Sequence, residues 1–157
     1  MPYLVDGHNL IPYLGLRLDS IDDELQLVAR LGEFCRLRRT RVDVYFDGAP
    51  PGMARSRRYG GATAHFVRQG SSADTAIEAR LTRLGREARN WSVVSSDRRL
   101  QRAARAVHAG VLPSGEFVRL MAQAKIEGVS ASKIEAHLGP DEVEEWLTMF
   151  RSRPQKP

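Results

Sequence analysis

The sequence predicts an α/β domain built on a mostly parallel sheet. Short apolar runs alternate with stretches of helical period from Tyr3 to about Ala124. Several of the runs end directly in an acidic turn or helix cap. Strands alternating with helices in this way are the pattern of βαβ units. There is no internal repeat.

Tyr3-Leu4-Val5 is the first strand, and Asp6-Gly7 reads as a turn after it. Ser20-Ile21-Asp22-Asp23 has the form of a capping box. The helix it opens carries Ile21, Leu25, Val28 and Cys35 and ends near Arg38. Val42 to Phe46 is the second strand, closed by Asp47-Gly48. A long loop rich in Pro, Gly and Arg is expected from Ala49 to Gly61. Ala64 to Val67 reads as a short third strand, and Ser71-Ser72-Ala73-Asp74 opens a helix with Ile77, Leu81 and Leu84. Trp91 to Ser95 is the fourth strand, followed by Ser96-Asp97 and a helix with Leu100, Ala103, Ala104 and Val107. Ala109 to Leu112 is the fifth strand; Ser114 caps a helix with Phe117, Leu120, Met121 and Ala124.

After Gly128 the pattern is helical only. Ser132-Lys133-Ile134-Glu135 reads as a capping box, and Pro140-Asp141-Glu142 has proline and acids where a helix N-terminus favours them. Val143, Trp146, Leu147 and Phe150 form an apolar stripe, more in keeping with packing on the body than with a partner site. The expected organisation is a domain over 1–127, a helical appendage over 128–150 and a disordered tail over 151–157.

The 157 residues are enough for one domain with a core of its own. No apolar run approaches the roughly 18 residues of a membrane span. Met1 to Asp6 has no basic or long apolar region, so no signal peptide is expected and the cytoplasm is the expected compartment. The single Cys35 excludes an intrachain disulfide and a cysteine-rich zinc site. Net charge is +5, and lysine occurs only at Lys125, Lys133 and Lys156. Arginine suits bidentate phosphate recognition, although a GC-rich genome also raises its number. The distribution is more telling. Arginines crowd between Arg36 and Arg105, while acids dominate the end of the chain. An uneven basic surface is the footprint of a nucleic-acid binder.

The chemistry is expected from carboxylates. Asp6, Asp47 and Asp97 each follow directly on a strand. In a parallel sheet the strands end on one edge, and ligands bind in the crevice there. Asp74 opens a helix that follows a strand and so lies on the same edge. Glu78 shares its helix face, and Asn9 adds an amide nearby. Each acid also has a structural reading: Asp-Gly turns at Asp6 and Asp47, capping at Asp74 and Asp97. Together they would repel one another, and a cation removes that cost. Hard oxygen ligands in an open cluster suit Mg2+ or Mn2+. Two such ions about 4 Å apart can clamp an in-line phosphodiester displacement. His8 beside the cluster either touches substrate or packs on the turn. There is no P-loop and no GxGxxG, and the four histidines lack zinc spacing. An aspartyl-phosphatase would want Asp two residues after Asp6, where His8 stands.

Val5-Asp6-Gly7-His8-Asn9-Leu10-Ile11, Phe46-Asp47-Gly48, Ser72-Ala73-Asp74-Thr75-Ala76-Ile77-Glu78 and Val93-Val94-Ser95-Ser96-Asp97 closely resemble the motifs of YacP-type NYN domains, in their order. These are bacterial members of the PIN-like nuclease superfamily. The resemblance covers roughly Met1 to Gln123. It implies a three-layer α/β/α PIN-like fold, divalent metal ions and endoribonuclease activity. It places Asp6, Asp74 and Asp97 as metal-binding acids, with Asn9 and Asp47 as accessory catalytic positions. His8 stands where many relatives have tyrosine. Some members act on RNA engaged with the translation machinery, so RNA and the ribosome are the implied partners.

The segment Met53 to Gly61 is expected to hang at the active-site edge, with Arg55, Arg57 and Arg58 holding phosphates and Tyr59 stacking on a base; a solvated loop is its structural alternative. Arg98 and Arg99, with Arg102 and Arg105 beyond, would extend the basic track. Arg80, Arg83, Arg86 and Arg89 read as a solvated face. The first functional expectation is a metal-dependent endoribonuclease; the alternative is an RNA- or ribosome-binding module of the same fold with little catalysis.

Overall fold

The structure, a computed structural model, describes residues 1–16, 21–50, 52 and 54–137. Its centre is a six-stranded sheet. The strands are β1 (Tyr3–Asp6), β2 (Val42–Ala49), β3 (Ser56–Tyr59), β4 (Ala62–Arg68), β5 (Ser92–Val94) and β6 (Gly110–Leu112), in the order β3-β4-β2-β1-β5-β6. All neighbours are parallel except β3 and β4. The helices are α1 (Gly7–Leu10), α2 (Ile21–Arg38), α3 (Ala73–Leu84), α4 (Arg98–Ala106) and α5 (Ser114–His137).

Alternation along the strands builds two cores. Val5, Val44 and Val94 face one way and join Leu27, Leu31 and Phe34 of α2 and Phe117 and Met121 of α5. Leu4, Tyr45 and Val93 face the other way and join Ile77 and Leu81 of α3 and Leu100 and Ala104 of α4. Central strands buried on both faces need continuous apolar runs. The result is the expected three-layer α/β/α arrangement. Among the described residues no helix is long and apolar enough to cross a membrane.

The chain turns from β1 to β2 and β4 on one side, then to β5 and β6 on the other. The point of reversal lies between β1 and β5. At such a switch point the connections leave in opposite directions and open a crevice at the carboxyl ends of the strands.

Four local expectations are corrected. Asp6-Gly7 is not a turn: α1 starts at Gly7 itself. Glycine is required there by a close approach, since a Cβ would stand 2.4 Å from the Phe46 ring. Asp47-Gly48 lies within β2, whose register shifts between Phe46 and Ala49. Gly48 takes φ +70°, which a bulge can demand of glycine at little cost. The loop expected from Ala49 to Gly61 contains β3, which returns to β4 through Gly60-Gly61. Finally, α5 runs unbroken through Gly128 and through Ser132–Glu135, so that segment starts no helix. The boundary expected at 127/128 falls inside α5. Glu127 pairs with Arg38 of α2 at 3.5 Å, and a Cβ on Gly128 would meet Leu37 at 2.6 Å. Ser20, Met53, the stripe from Val143 to Phe150 and the tail from Arg151 lie outside the described residues.

Candidate functional site

The acids that follow the parallel strands meet at the switch point. Asp6 ends β1 and is only 8% exposed. Strand alternation turns it, like Leu4, toward α3. Asp74, in the first turn of α3, meets it in a carboxyl–carboxyl hydrogen bond. Burial, chiefly, and then the charge of Asp74 push the Asp6 carboxyl up to about 7. The neighbouring Asn9 backbone N–H opposes this, and Asp47 adds to it. Asp74 is also raised: burial leads, and the charges of Asp97 and Asp47 add, against the hydrogen bond from Asp6 and the nearby Arg99 guanidinium. The pair therefore retains a proton well above the ordinary carboxyl range, as two acids in contact must.

Asp97 keeps its structural reading as a cap, Asp47 caps a helix where a turn was expected, and both still belong to the group. The bulge in β2 brings Asp47 to the start of α3, where its carboxylate accepts the Ala73 N–H. Ser72 Oγ accepts the Thr75 N–H at 3.1 Å, so two caps tie the helix end that carries Asp74. Asp97 caps α4, accepting the Arg99 N–H at 2.8 Å, while its own N–H donates to Ser95 Oγ at 3.0 Å.

Asn9 is a clasp. Its Oδ1 accepts the Ser96 N–H at 2.9 Å and the Ser114 hydroxyl at 2.6 Å. The Ser114 N–H in turn donates to Ser96 Oγ at 3.2 Å. One amide thus joins α1, the turn after β5 and the start of α5. Sequence reasoning singled out Asn9 but not its partners; only the polar residue placed after a strand, Ser96, hints at them.

His8 turns back from the site. Its Nε2 lies 2.7 Å from Glu24 Oε1 and its ring packs on Phe46 at 5.5 Å. The Glu24 hydrogen bond raises its pKa against the opposing effect of burial. Glu78 is engaged as well: Arg99 donates to it through Nε at 2.8 Å and Nη2 at 3.3 Å, a fork that links α3 to α4. Arg98 is exposed at the start of α4.

The arginine segment needs a correction. The Arg55 carbonyl accepts the Phe66 N–H at 2.8 Å, which puts Arg55 near the level of Phe46, beside Asp47. From there the chain descends: Arg57 pairs with Ala64, Arg58 with Thr63 and Tyr59 with Ala62, which is level with Val42 at the start of β2. Arg58 and Tyr59 therefore stand toward the opposite edge of the sheet. Tyr59 packs against the α2-side core, and Arg57 Nη1 donates to its hydroxyl at 3.4 Å. It is not a stacking platform beside the acids. Arg80 is not on a solvated face either: its guanidinium lies over Trp91 at 5.3 Å and 3.7 Å from Asp43.

Asp6, Asp74 and Asp97 were expected to form a metal-binding set. Among the described residues no three His, Cys, Asp or Glu side chains form a ready-made metal site. Asp6 and Asp74 touch, whereas Asp97 acts on Asp74 through its charge and is held at α4 by capping.

Two solved structures share the fold. A tryptophan-to-leucine mutant of Rae1 (YacP) from Bacillus subtilis is 24% identical, covering 92% of this chain and 89% of that one, with a TM-score of 0.72. A second structure of Rae1 (YacP) from Bacillus subtilis is 22% identical, covering 96% and 92%, with a TM-score of 0.66. No curated protein matches the chain. The family model of the YacP-like NYN domain matches residues 3–149, beyond the Gln123 limit of the motif resemblance. The chain belongs to the YacP-like NYN domain family.

Proposed function

We propose that the chain is a metal-dependent endoribonuclease that hydrolyses RNA phosphodiester bonds at the edge carrying Asp6 and Asp74. One observation carries the reading: a buried strand-end carboxyl, raised to about 7, in hydrogen-bond contact with a second carboxyl at the switch point of a parallel sheet. Such a pair is costly to a fold, and a role at the site accounts for it. The donor set fits a hard divalent ion such as Mg2+ or Mn2+, because it offers carboxylate oxygens held together by a proton that a cation can replace. Asp6 and Asp74 would hold the ion, with Asp97 as the third acid and Asp47 and Asn9 as accessory groups. Bound there, it supplies positive charge against the negative charge that builds on phosphate oxygens.

The protein's own contribution is placement. Asp47 and Ser72 fix the end of α3 and so aim Asp74. The Asn9 clasp holds the turn that leads to Asp97. Arg99, oriented by Glu78, sets a guanidinium beside the acids where a substrate phosphate can take it as a partner.

The capping duties of Asp47 and Asp97 favour a second reading, an RNA- or ribosome-binding module with little catalysis. Incubation with a mixed RNA pool and Mn2+ or Mg2+, with and without chelator, separates the two. Metal-dependent new ends support the enzyme; RNA retained without cleavage supports the module.

A further inference from the structure

A cavity of about 150 Å³ opens at the other edge of the sheet, on the same face as Asp6. Asp43, Thr63 and Arg58 form one row across β2, β4 and β3 by register. Arg41 and Arg80 complete the wall, beside the Gly61 backbone. The two latter arginines share one support: Arg41 Cζ lies 5.7 Å and Arg80 Cζ 5.3 Å from the centre of the Trp91 ring. Trp91 is buried in the core, so its ring gives both guanidiniums a common surface.

The charges do not balance. Three guanidiniums face the single carboxylate of Asp43. That carboxylate is shared between Arg80 at 3.7 Å and His65 Nε2 at 2.7 Å. Arg58 is directed by its Nε donation to the Gly60 carbonyl at 3.3 Å. Like charges held together around a phosphate-sized polar cavity are stabilised by an anion, and planar guanidiniums match phosphate oxygens in pairs.

The position relates this cavity to the acids. α3 runs from Asp74 at one site to Arg80 at the other, six residues apart, a rise of about 9 Å. Along β2 the distance from Asp43 to Asp47 is about 13 Å. A single RNA strand can reach both.

We infer that this cavity is a second phosphate site, which takes a backbone phosphodiester of an RNA strand engaged at Asp6 and Asp74. The inference rests on the nuclease reading for that engagement. The test is binding of an uncleavable 2′-O-methyl RNA of about 12 nucleotides, in chelator, across a salt series. In Arg41→Gln/Arg58→Gln the affinity falls at least about tenfold at low salt, and the log–log salt slope flattens by about one to two units. Arg41→Lys/Arg58→Lys keeps most of the slope, and unchanged melting curves certify the fold. An unchanged slope in the glutamine variant overturns the site. So does competition by inorganic phosphate or a mononucleotide as strong as that of the RNA, which would mark a small-anion site instead. Cleavage of unmodified RNA with Mn2+ is followed in parallel. RNA binding that depends on Arg41 and Arg58 in a protein that cuts nothing would leave the phosphate site standing and fail the nuclease reading.

Discussion

The two edges of the sheet concentrate charge of opposite sign by different physical means. At the carboxyl edge, Asp6 and Asp74 are brought into contact and burial raises both; a retained proton relieves the repulsion. At the amino edge, Arg41 and Arg80 both lie against the Trp91 ring, with Asp43 of β2 as partial compensation. Carboxyls can lose charge by protonation near neutral pH, whereas guanidiniums cannot. On the proposed reading, the acidic edge exchanges its proton for a cation and the basic edge gains an anion.

The largest expected effect breaks the acidic edge. Asp74→Asn removes a charge from the pair and should lower RNA cleavage by more than about 100-fold, the upper figure for losing even an outer partner of a metal ligand. Fold and metal-free melting should persist, because the caps from Asp47 and Ser72 do not involve the Asp74 side chain. Full cleavage by a folded Asp74→Asn protein would remove the site assignment.

The corresponding break at the basic edge is Trp91→Ala. Trp91 is 5% exposed and belongs to the α3-side core. Its loss should cost about 3–5 kcal/mol by cavity formation and also free Arg41 and Arg80. Chemical denaturation reads the first effect. The salt dependence of RNA binding reads the second.

The contrast also marks what sequence can show. The acids were legible because apolar runs such as Tyr3-Leu4-Val5 and Trp91 to Val94 end in polar residues, and parallel topology collects strand ends. β3 was not legible: Ser56-Arg57-Arg58-Tyr59 has no apolar alternation, and an edge strand needs none, since charge there blocks further pairing. Nor was the role of Arg80, which depends on Asp43 and Trp91 from distant parts of the chain. The Asn9–Ser114 bond spans 105 residues and leaves no local pattern. His8 and Glu78 lay near the acids in sequence, but Glu24 and Arg99 offered them nearer partners.

Asp6 gives a pH test of intermediate size. Its folded pKa, about 7, lies above the ordinary 3.8. Between these values the native state holds more protons than the unfolded state, so stability falls as pH rises. The favourable contribution is complete below 3.8 and lost by about pH 7. The loss is about 2–4 kcal/mol at most, from the size of the shift. Asp74 shifts in the same direction and adds to it. In chelator, Asp6→Asn should flatten this decline and raise stability at neutral pH. A decline equally steep in the variant would show that the pair is not its source.

The smallest effect distinguishes the two duties of Asp47. As a cap, its carboxylate accepts the Ala73 N–H at the start of α3. As a charge, it adds to the repulsion felt by Asp6 and Asp74. Asp47→Asn keeps an acceptor oxygen and removes the charge; Asp47→Ala removes both. Loss of the cap should cost about 1 kcal/mol in the alanine protein. The asparagine protein should stay within about 0.5 kcal/mol of the parent, because it loses a favourable helix-terminus interaction of that order while relieving repulsion from the pair. Melting in chelator at neutral pH and again near pH 4 separates these contributions. At the lower pH the pair carries less charge and the repulsion is smaller, so Asp47→Asn should gain on the parent as pH rises. Equal destabilisation by asparagine and alanine would mean that the charge on the helix end, not the hydrogen bond, holds α3 in place, and that the aim of Asp74 depends on electrostatics from β2.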